Sequence, residues 1–158
     1  MGTPLIRSGR LLTAVAFLLL LQPTRCGIPT VNPEAAEFPP SIKITHGITN
    51  QGYPFIFGGV GSSERESMEE RGKNYSVKLI FAAKDGSFVS GVTLAIATAK
   101  GAEIISLATQ GPWFYIDLPP GVYAVQATFK GETKEIKALS VMKGKKVRQS
   151  LIWNQPEP

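Results

Sequence analysis

Apolar residues recur with a period of two along the second half of the chain. In residues 75–82 the larger ones share one face of an extended strand: Tyr75, Val77, Leu79 and Phe81. Such alternation is typical of a β-strand with one buried face. Further segments of this kind follow at spacings near ten residues, most of them ended by Gly or Pro turns: 92–98, 104–109, 113–118, 122–130, about 132–141 and 145–153.

Seven short, regularly spaced strands predict an all-β sandwich in which one face of each sheet enters the core. Helical patterns do not alternate with these strands, which argues against an α/β architecture. The chain has 158 residues, enough for one domain and too few for two of ordinary size.

Residues 41–74 contain a strand, an apolar segment and a helix. Residues 41–46 alternate as a strand, with Ile42 and Ile44 on one face. Residues 47–61 are apolar and aromatic but carry five glycines and a proline. Covering apolar surface contributes roughly 25 cal/mol per Å². We therefore expect this segment to pack on the sandwich, so that the domain begins near residue 41.

One short helix is predicted between this segment and the first strand of the sandwich. Ser63 and Glu66 have the spacing of a capping box, and Gly72 is a plausible C-terminal stop. Met68 is the sole apolar residue between Ser63 and Gly72. The helix is therefore expected to lie on the surface.

The N-terminus has the layout of a secretory signal peptide. Two arginines precede an uncharged apolar run, 11–21, and Thr24 and Cys26 can serve as the small residues before a cleavage site. At about 1.5 Å per residue, eleven helical residues do not cross a hydrocarbon core of roughly 30 Å. Residues 1–26 are thus predicted to be removed, leaving no membrane span and a periplasmic or secreted protein.

One alternative and two further predictions concern the chain ends. Cys26 could instead be kept and lipidated, although Arg25 fits poorly before a lipoprotein cysteine. Residues 27–40 contain four prolines and are predicted to be an extended spacer, and residues 154–158 a tail.

Charge and cysteine content change markedly if residues 1–26 are removed. The whole chain has a formal net charge of +5, from 17 basic and 12 acidic residues. Removal takes three arginines and the lone cysteine, so the net charge becomes 14 − 12 = +2. That value is too small to favour nucleic acid or an anionic membrane as partner, and an intrachain disulfide is excluded.

The segment from residue 111 to residue 125 resembles the carboxypeptidase regulatory-like domain. In that family Gly-x-aromatic-x-apolar is followed by Leu-Pro-Pro-Gly-x-Tyr-x-Val, and the matching residues here are Gly111, Trp113, Tyr115, Leu118, Pro119, Pro120, Gly121, Tyr123 and Val125. The resemblance implies a seven-stranded transthyretin-like (prealbumin-like) sandwich over residues 75–153. It also implies that Trp113 and Tyr115 fill the core, that Phe114 points outward, and that Tyr123 is buried with its hydroxyl near the turn.

The family resemblance carries no activity, because such domains are attached to enzymes, receptors and cell-surface proteins alike. Residues 57–65 are similar to a segment of small exported proteobacterial proteins that end in this domain. The transthyretin-like hydrolase of 5-hydroxyisourate has several active-site histidines and a C-terminal Tyr-Arg-Gly-Ser. This chain has one histidine, His46, and ends differently.

Other candidate chemistry is equally sparse. The glycines of 58–61 precede a helix, but the Lys-Ser/Thr of a phosphate loop is missing and Glu64 would repel an anion. His46 has no second histidine or cysteine to complete a zinc site. We expect no enzyme, no cofactor and no metal site.

The remaining candidates are contact residues. Phe114, Tyr53 and Phe55 could bind a ligand, and Phe114 could instead be covered by residues 47–61. A basic group formed by Lys143, Lys145, Lys146 and Arg148 is interpreted as a solvated surface. The sequence thus favours a non-catalytic interaction or structural module of the cell envelope that binds an envelope protein or polysaccharide. The alternative is a carbohydrate-binding module that uses exposed aromatics.

Overall fold

The computed structural model describes residues 43–154, which form nine strands, one α-helix and a 3₁₀ turn. The strands are β1 (Thr45–Ile48), β2 (Pro54–Gly58), β3 (Val77–Ala83), β4 (Thr93–Thr98), β5 (Glu103–Ala108), β6 (Trp113–Ile116), β7 (Gly121–Phe129), β8 (Glu132–Val141) and β9 (Val147–Trp153). Helix α1 spans Ser62–Arg71, and the 3₁₀ turn spans Gly72–Asn74. The predicted signal peptide, spacer and last four residues lie outside this range.

The strands form two sheets. Sheet A has the order β1-β2-β6-β3-β9, and sheet B has the order β5-β4-β7-β8. Neighbouring strands are antiparallel except for β3 and β9, which run parallel. The all-β class and the seven strands of residues 75–153 are confirmed, as β3–β9. The predicted total of seven is wrong, because β1 and β2 extend sheet A.

The core lies between the two sheets. Sheet A contributes Leu79, Phe81 and Phe114, and sheet B contributes Leu94 and Val125, all buried. Trp153 at the end of β9 is fully buried, and its indole N–H donates to the Glu132 carbonyl at 2.9 Å. The alternating pattern therefore defines the inner face of each sheet, as expected for a sandwich.

Within the segment 47–61, strand β2 packs on the sandwich, whereas Ile48 and Val60 are exposed. Strand β2 pairs with β6 along Phe55–Gly58, and the Phe57 and Phe55 rings stack on Phe114. The predicted strand at 41–46 is shifted, because β1 begins at Thr45 and pairs with β2. Ile42 lies outside the described residues.

Helix α1 begins two residues earlier than the predicted capping box implies, and its N-terminal contacts differ. Gly61 is the N-cap, and the Glu64 carboxylate accepts backbone N–H groups from Val60 at 2.9 Å and Gly61 at 3.5 Å. The predicted capping pair of Ser63 and Glu66 is wrong, because Ser63 lies inside the helix, and Gly61 and Glu64 hold the N-cap and N3 positions. The helix ends at Arg71, and Gly72, the predicted stop, is its C-cap.

Strand β6 is buried on both faces, which overturns the orientation that the family pattern implied. Phe114 is fully buried in the core between the sheets, not outward. Trp113 and Tyr115 point to the opposite side of sheet A, where they form a second cluster with Ile56 and Met68 of α1. The helix therefore covers the outer face of β6.

The β6–β7 connection has the predicted tyrosine contact. Tyr123 is 5% exposed, and its hydroxyl donates to the Pro119 carbonyl at 2.7 Å across the turn that Pro120 and Gly121 complete. Gly111, before β6, sits against the backbone of Gly58.

Replacing Tyr123 by phenylalanine should lower the free energy of unfolding by about 1 kcal/mol, the net worth of one hydrogen bond. Denaturant melts of the two proteins measure the difference. An unchanged midpoint would show that the hydroxyl gains nothing over water.

Candidate functional site

A cleft of about 670 Å³ opens at one end of sheet A. Three connections meet there: the β1–β2 turn, the loop after β6 and the β8–β9 turn. The residues before β3 complete its lining. We call this the basic cleft; its lining includes Tyr53, Pro54, Lys73, Tyr75, Ser76, Asp117, Leu118, Pro119, Pro120, Lys143, Lys145 and Lys146.

Ser76 ties the connections together. Its hydroxyl accepts the Leu118 N–H at 2.7 Å and donates to the Leu118 carbonyl at 3.0 Å. Its own carbonyl accepts the Val147 N–H at 2.8 Å, and the Asp117 N–H bonds the Pro54 carbonyl at 3.0 Å. These bonds run from the β1–β2 turn to the start of β9, so they fix the parts of the cleft relative to one another.

One flank of the cleft is basic. Lys143, Lys145 and Lys146 are exposed in and beside the β8–β9 turn, where the Lys145 N–H bonds the Met142 carbonyl. Within residues 43–154, no ion pair links these three lysines to an acidic side chain. Lys73 joins them but pairs with Glu70. The sequence pattern predicts a solvated surface for these lysines, and the structure places them in the lining of a cleft.

The other flank is apolar. Tyr53 is half-buried and packs in part against the core between the sheets, and its N–H donates to the Thr49 hydroxyl at 3.0 Å. Pro54, Pro119 and Pro120 lie beside it and are exposed. A tyrosine with flat proline rings offers an apolar surface at the edge of water. Tyr53 is thus the predicted contact residue that the structure places in a cleft.

Phe55 and Phe114, the other two predicted contact residues, do not line the basic cleft. Phe114 is fully buried, and the half-buried Phe55 stacks on it with ring centroids 5.8 Å apart. Both rings pack against the core between the sheets. Their place in the fold is therefore explained by packing.

A second hollow of about 300 Å³ adjoins the cleft and shares Lys73, Tyr75 and Lys146 with it. At its base Lys78 is buried, with its ammonium 3.6 Å from the centre of the Trp113 ring. Arg148 also lines this hollow. The positive charge of the cleft therefore continues along the surface.

The buried ammonium is neutralised from helix α1. Lys78 forms an ion pair with Glu69, and the Tyr115 hydroxyl donates to the same carboxylate at 3.3 Å. The arrangement attaches α1 to sheet A, since a buried charge without a partner would be costly.

The pKa values follow from the unequal burial of this pair. Burial lowers the pKa of Lys78, and the hydrogen bond and charge of Glu69 offset only part of this effect. Burial alone would raise the pKa of Glu69, but the hydrogen bond and charge of Lys78 hold it below its ordinary value. Burial, then the charge of Glu69, raises the pKa of Tyr115. Glu69, the more exposed partner, therefore carries its charge at neutral pH.

The structure places two further features that the sequence offers as candidate chemistry, the glycine segment before α1 and His46. The N–H groups of Val60 and Gly61, which could have bound an anion, are bonded to Glu64. His46 is exposed and lies near Asp117 and Tyr75 in a shallow depression.

Within residues 43–154, no three His, Cys, Asp or Glu side chains are grouped to hold a metal ion. In the same part of the chain, no helix is both long and apolar enough to cross a bilayer. No protein-family model matches the chain, and no curated protein matches it.

Proposed function

We propose that this protein is a non-catalytic, exported interaction module of the cell envelope that binds its partner in the basic cleft. One observation carries the proposal: a single cleft is lined both by apolar residues and by three lysines that form no ion pair within residues 43–154. Its volume lies within the roughly 300–1,000 Å³ that is typical of ligand sites.

The contacts of the Ser76 hydroxyl, in the lining of the cleft, favour binding over catalysis. The Ser76 hydroxyl is committed to the backbone of Leu118, so no base activates it as a nucleophile. Its contacts hold the cleft in shape. This rigidity favours recognition of a partner, because little ordering is required on binding.

The proposal includes a transthyretin-like fold and a periplasmic or secreted location. The Leu-Pro-Pro-Gly-x-Tyr turn, with Tyr123 bonded to Pro119, supports a transthyretin-like sandwich of the carboxypeptidase regulatory-like type. The charged start and short apolar run of residues 1–26 support a signal peptide and a periplasmic or secreted location.

A carbohydrate-binding module is the second candidate, and one observation favours it. Tyr53 presents a half-buried ring in the cleft beside Pro119 and Pro120. An aromatic ring of this kind can pack on the C–H face of a sugar.

Replacing Lys143, Lys145 and Lys146 together by alanine should abolish most binding to the cell envelope. Purified protein would be sedimented with isolated envelope material, and the bound fraction measured at low and high salt. Salt should weaken binding of the wild type, because exposed charges are screened.

The matched control replaces three exposed lysines elsewhere, Lys84, Lys100 and Lys137, by alanine. This variant loses the same charge and should bind as the wild type does. Equal loss in both triple variants would show that net charge, not the cleft, governs binding, and the proposed site would be wrong.

A further inference from the structure

We infer that the ligand of the basic cleft is an acidic polysaccharide, a chain of sugar rings that carry carboxylates. The inference rests on the proposed function, since it names the partner of the same cleft. It depends on how apolar and charged groups are divided in the lining, and on a second hollow that continues the cleft.

The lining is divided between two kinds of surface. Tyr53, Pro119 and Pro120 supply apolar surface. Lys143 and Lys145 supply ammonium groups, against the single carboxylate of Asp117 in the same lining. A ligand that satisfies both flanks needs an apolar face and an anionic edge in one rigid unit. A sugar ring with a carboxylate meets this requirement, because its C–H face is apolar and its carboxylate projects from the rim.

The kind of cation also indicates the ligand. The cleft lining includes lysines but no arginine, and lysine binds anions as a compact, hydrated point charge. Planar, bidentate recognition of one phosphate or carboxylate favours the guanidinium group of arginine. Lysines on an open rim fit carboxylates that repeat along a polymer.

The shape of the surface favours a linear ligand. The second hollow shares Lys73, Tyr75 and Lys146 with the basic cleft and adds Lys78 and Arg148. Since Lys78 is already paired with Glu69, the accessible charges along this course are those of Lys146 and Arg148. A chain of several sugars could follow it, whereas a single sugar would occupy the cleft alone.

An acidic peptide is the less suitable occupant. Its carboxylates are on flexible stems without a flat apolar face, so Tyr53 and the prolines would gain little from it. Ordering those stems would also cost side-chain entropy. Acidic peptide is therefore the competing outcome of the test.

The test measures binding of trigalacturonate to the purified protein by titration calorimetry. We expect saturable binding that weakens between about 0.05 and 0.5 M salt as the charges are screened. The methyl ester of trigalacturonate keeps the rings but lacks the charges. Its affinity should be lower than that of trigalacturonate by a factor of up to about ten, since exposed ion pairs contribute modestly. Poly-L-glutamate of matched charge is the peptide probe and should bind more weakly than trigalacturonate.

Variants separate the two flanks. Tyr53→Ala should weaken trigalacturonate binding about fivefold to tenfold through loss of ring packing, and Tyr53→Phe should restore it. The triple replacement of Lys143, Lys145 and Lys146 should reduce both affinity and salt dependence. The triple control at Lys84, Lys100 and Lys137 should change neither.

The outcomes distinguish this inference from the proposed function. If poly-L-glutamate binds as well as trigalacturonate and Tyr53→Ala has no effect, the ligand is not a sugar, while the cleft remains the binding site. Absence of trigalacturonate binding at millimolar concentration also overturns the inference. If envelope binding does not depend on the three lysines, the proposed site itself fails.

Discussion

Phe114→Ala is expected to lower the free energy of unfolding by about 3–5 kcal/mol, the usual cost of truncating a buried phenylalanine. Phe114 is fully buried, and its cross-strand neighbours Phe57 and Leu79 belong to the same core. Alanine would leave a cavity between the sheets that these side chains cannot fill. Chemical denaturation of the wild type and the variant measures the loss.

Phe88→Ala is the matched control, because Phe88 is 39% exposed, meets Trp113 edge to face and has the Arg65 guanidinium over its ring at 5.1 Å. Its loss should cost about 1 kcal/mol, the order of one aromatic pair. If Phe114→Ala were no more destabilising than Phe88→Ala, the assignment of Phe114 to the core would be wrong. Phe114 would then again be a candidate residue for ligand binding.

Gly111→Ala is expected to destabilise the fold by about 3 kcal/mol or more, the upper end of the range for overpacked sites. A Cβ at Gly111 would lie 2.2 Å from the carbonyl oxygen of Gly58 and 2.6 Å from its Cα. Backbone atoms cannot rotate away as a side chain can, so β2 would have to separate from β6. Thermal or urea unfolding measures the effect.

Gly61→Ser tests whether any added side chain near this connection is harmful. No atom lies within 4 Å of a Cβ at Gly61, and the residue is the N-cap of α1, where serine is favoured. Stability should be unchanged or slightly higher. A Gly111→Ala protein as stable as this control would mean that the approach of Gly58 to Gly111 is not required for folding.

The architecture was largely accessible from the sequence because sheets with one buried face impose a period of two. Strands β3–β9 follow from that pattern. β2 follows from a different argument, the cost of leaving its aromatic residues in water. The total strand number did not follow, because glycines interrupt residues 47–61 and conceal the pairing of β2 with β6.

The orientation of β6 could not be predicted in the same way. All four residues from Trp113 to Ile116 are apolar, so alternation cannot assign them to faces. Helix α1 decides the matter by covering the outer face, yet Met68 is its sole buried apolar residue. Its attachment through Glu69 and Lys78 depends on residues that a hydrophobic pattern treats as exposed.

The candidate site could also be predicted only in part from the sequence. The aromatic character of Tyr53 predicts a contact residue. Lys143, Lys145 and Lys146 were recognised as a basic group, but their role depended on which turns meet at one end of sheet A. That juxtaposition follows from tertiary structure, since the β1–β2 and β8–β9 turns are about ninety residues apart in sequence.

The parallel pairing of β3 with β9 has a consequence for how the chain acquires its structure. Val77 pairs with Val147, a separation of 147 − 77 = 70 residues, and Trp153 then enters the core between Phe81 and Phe129. Pairings of such long sequence separation form slowly, because loop closure precedes any gain from contacts. The core stays incomplete until β9 has been synthesised.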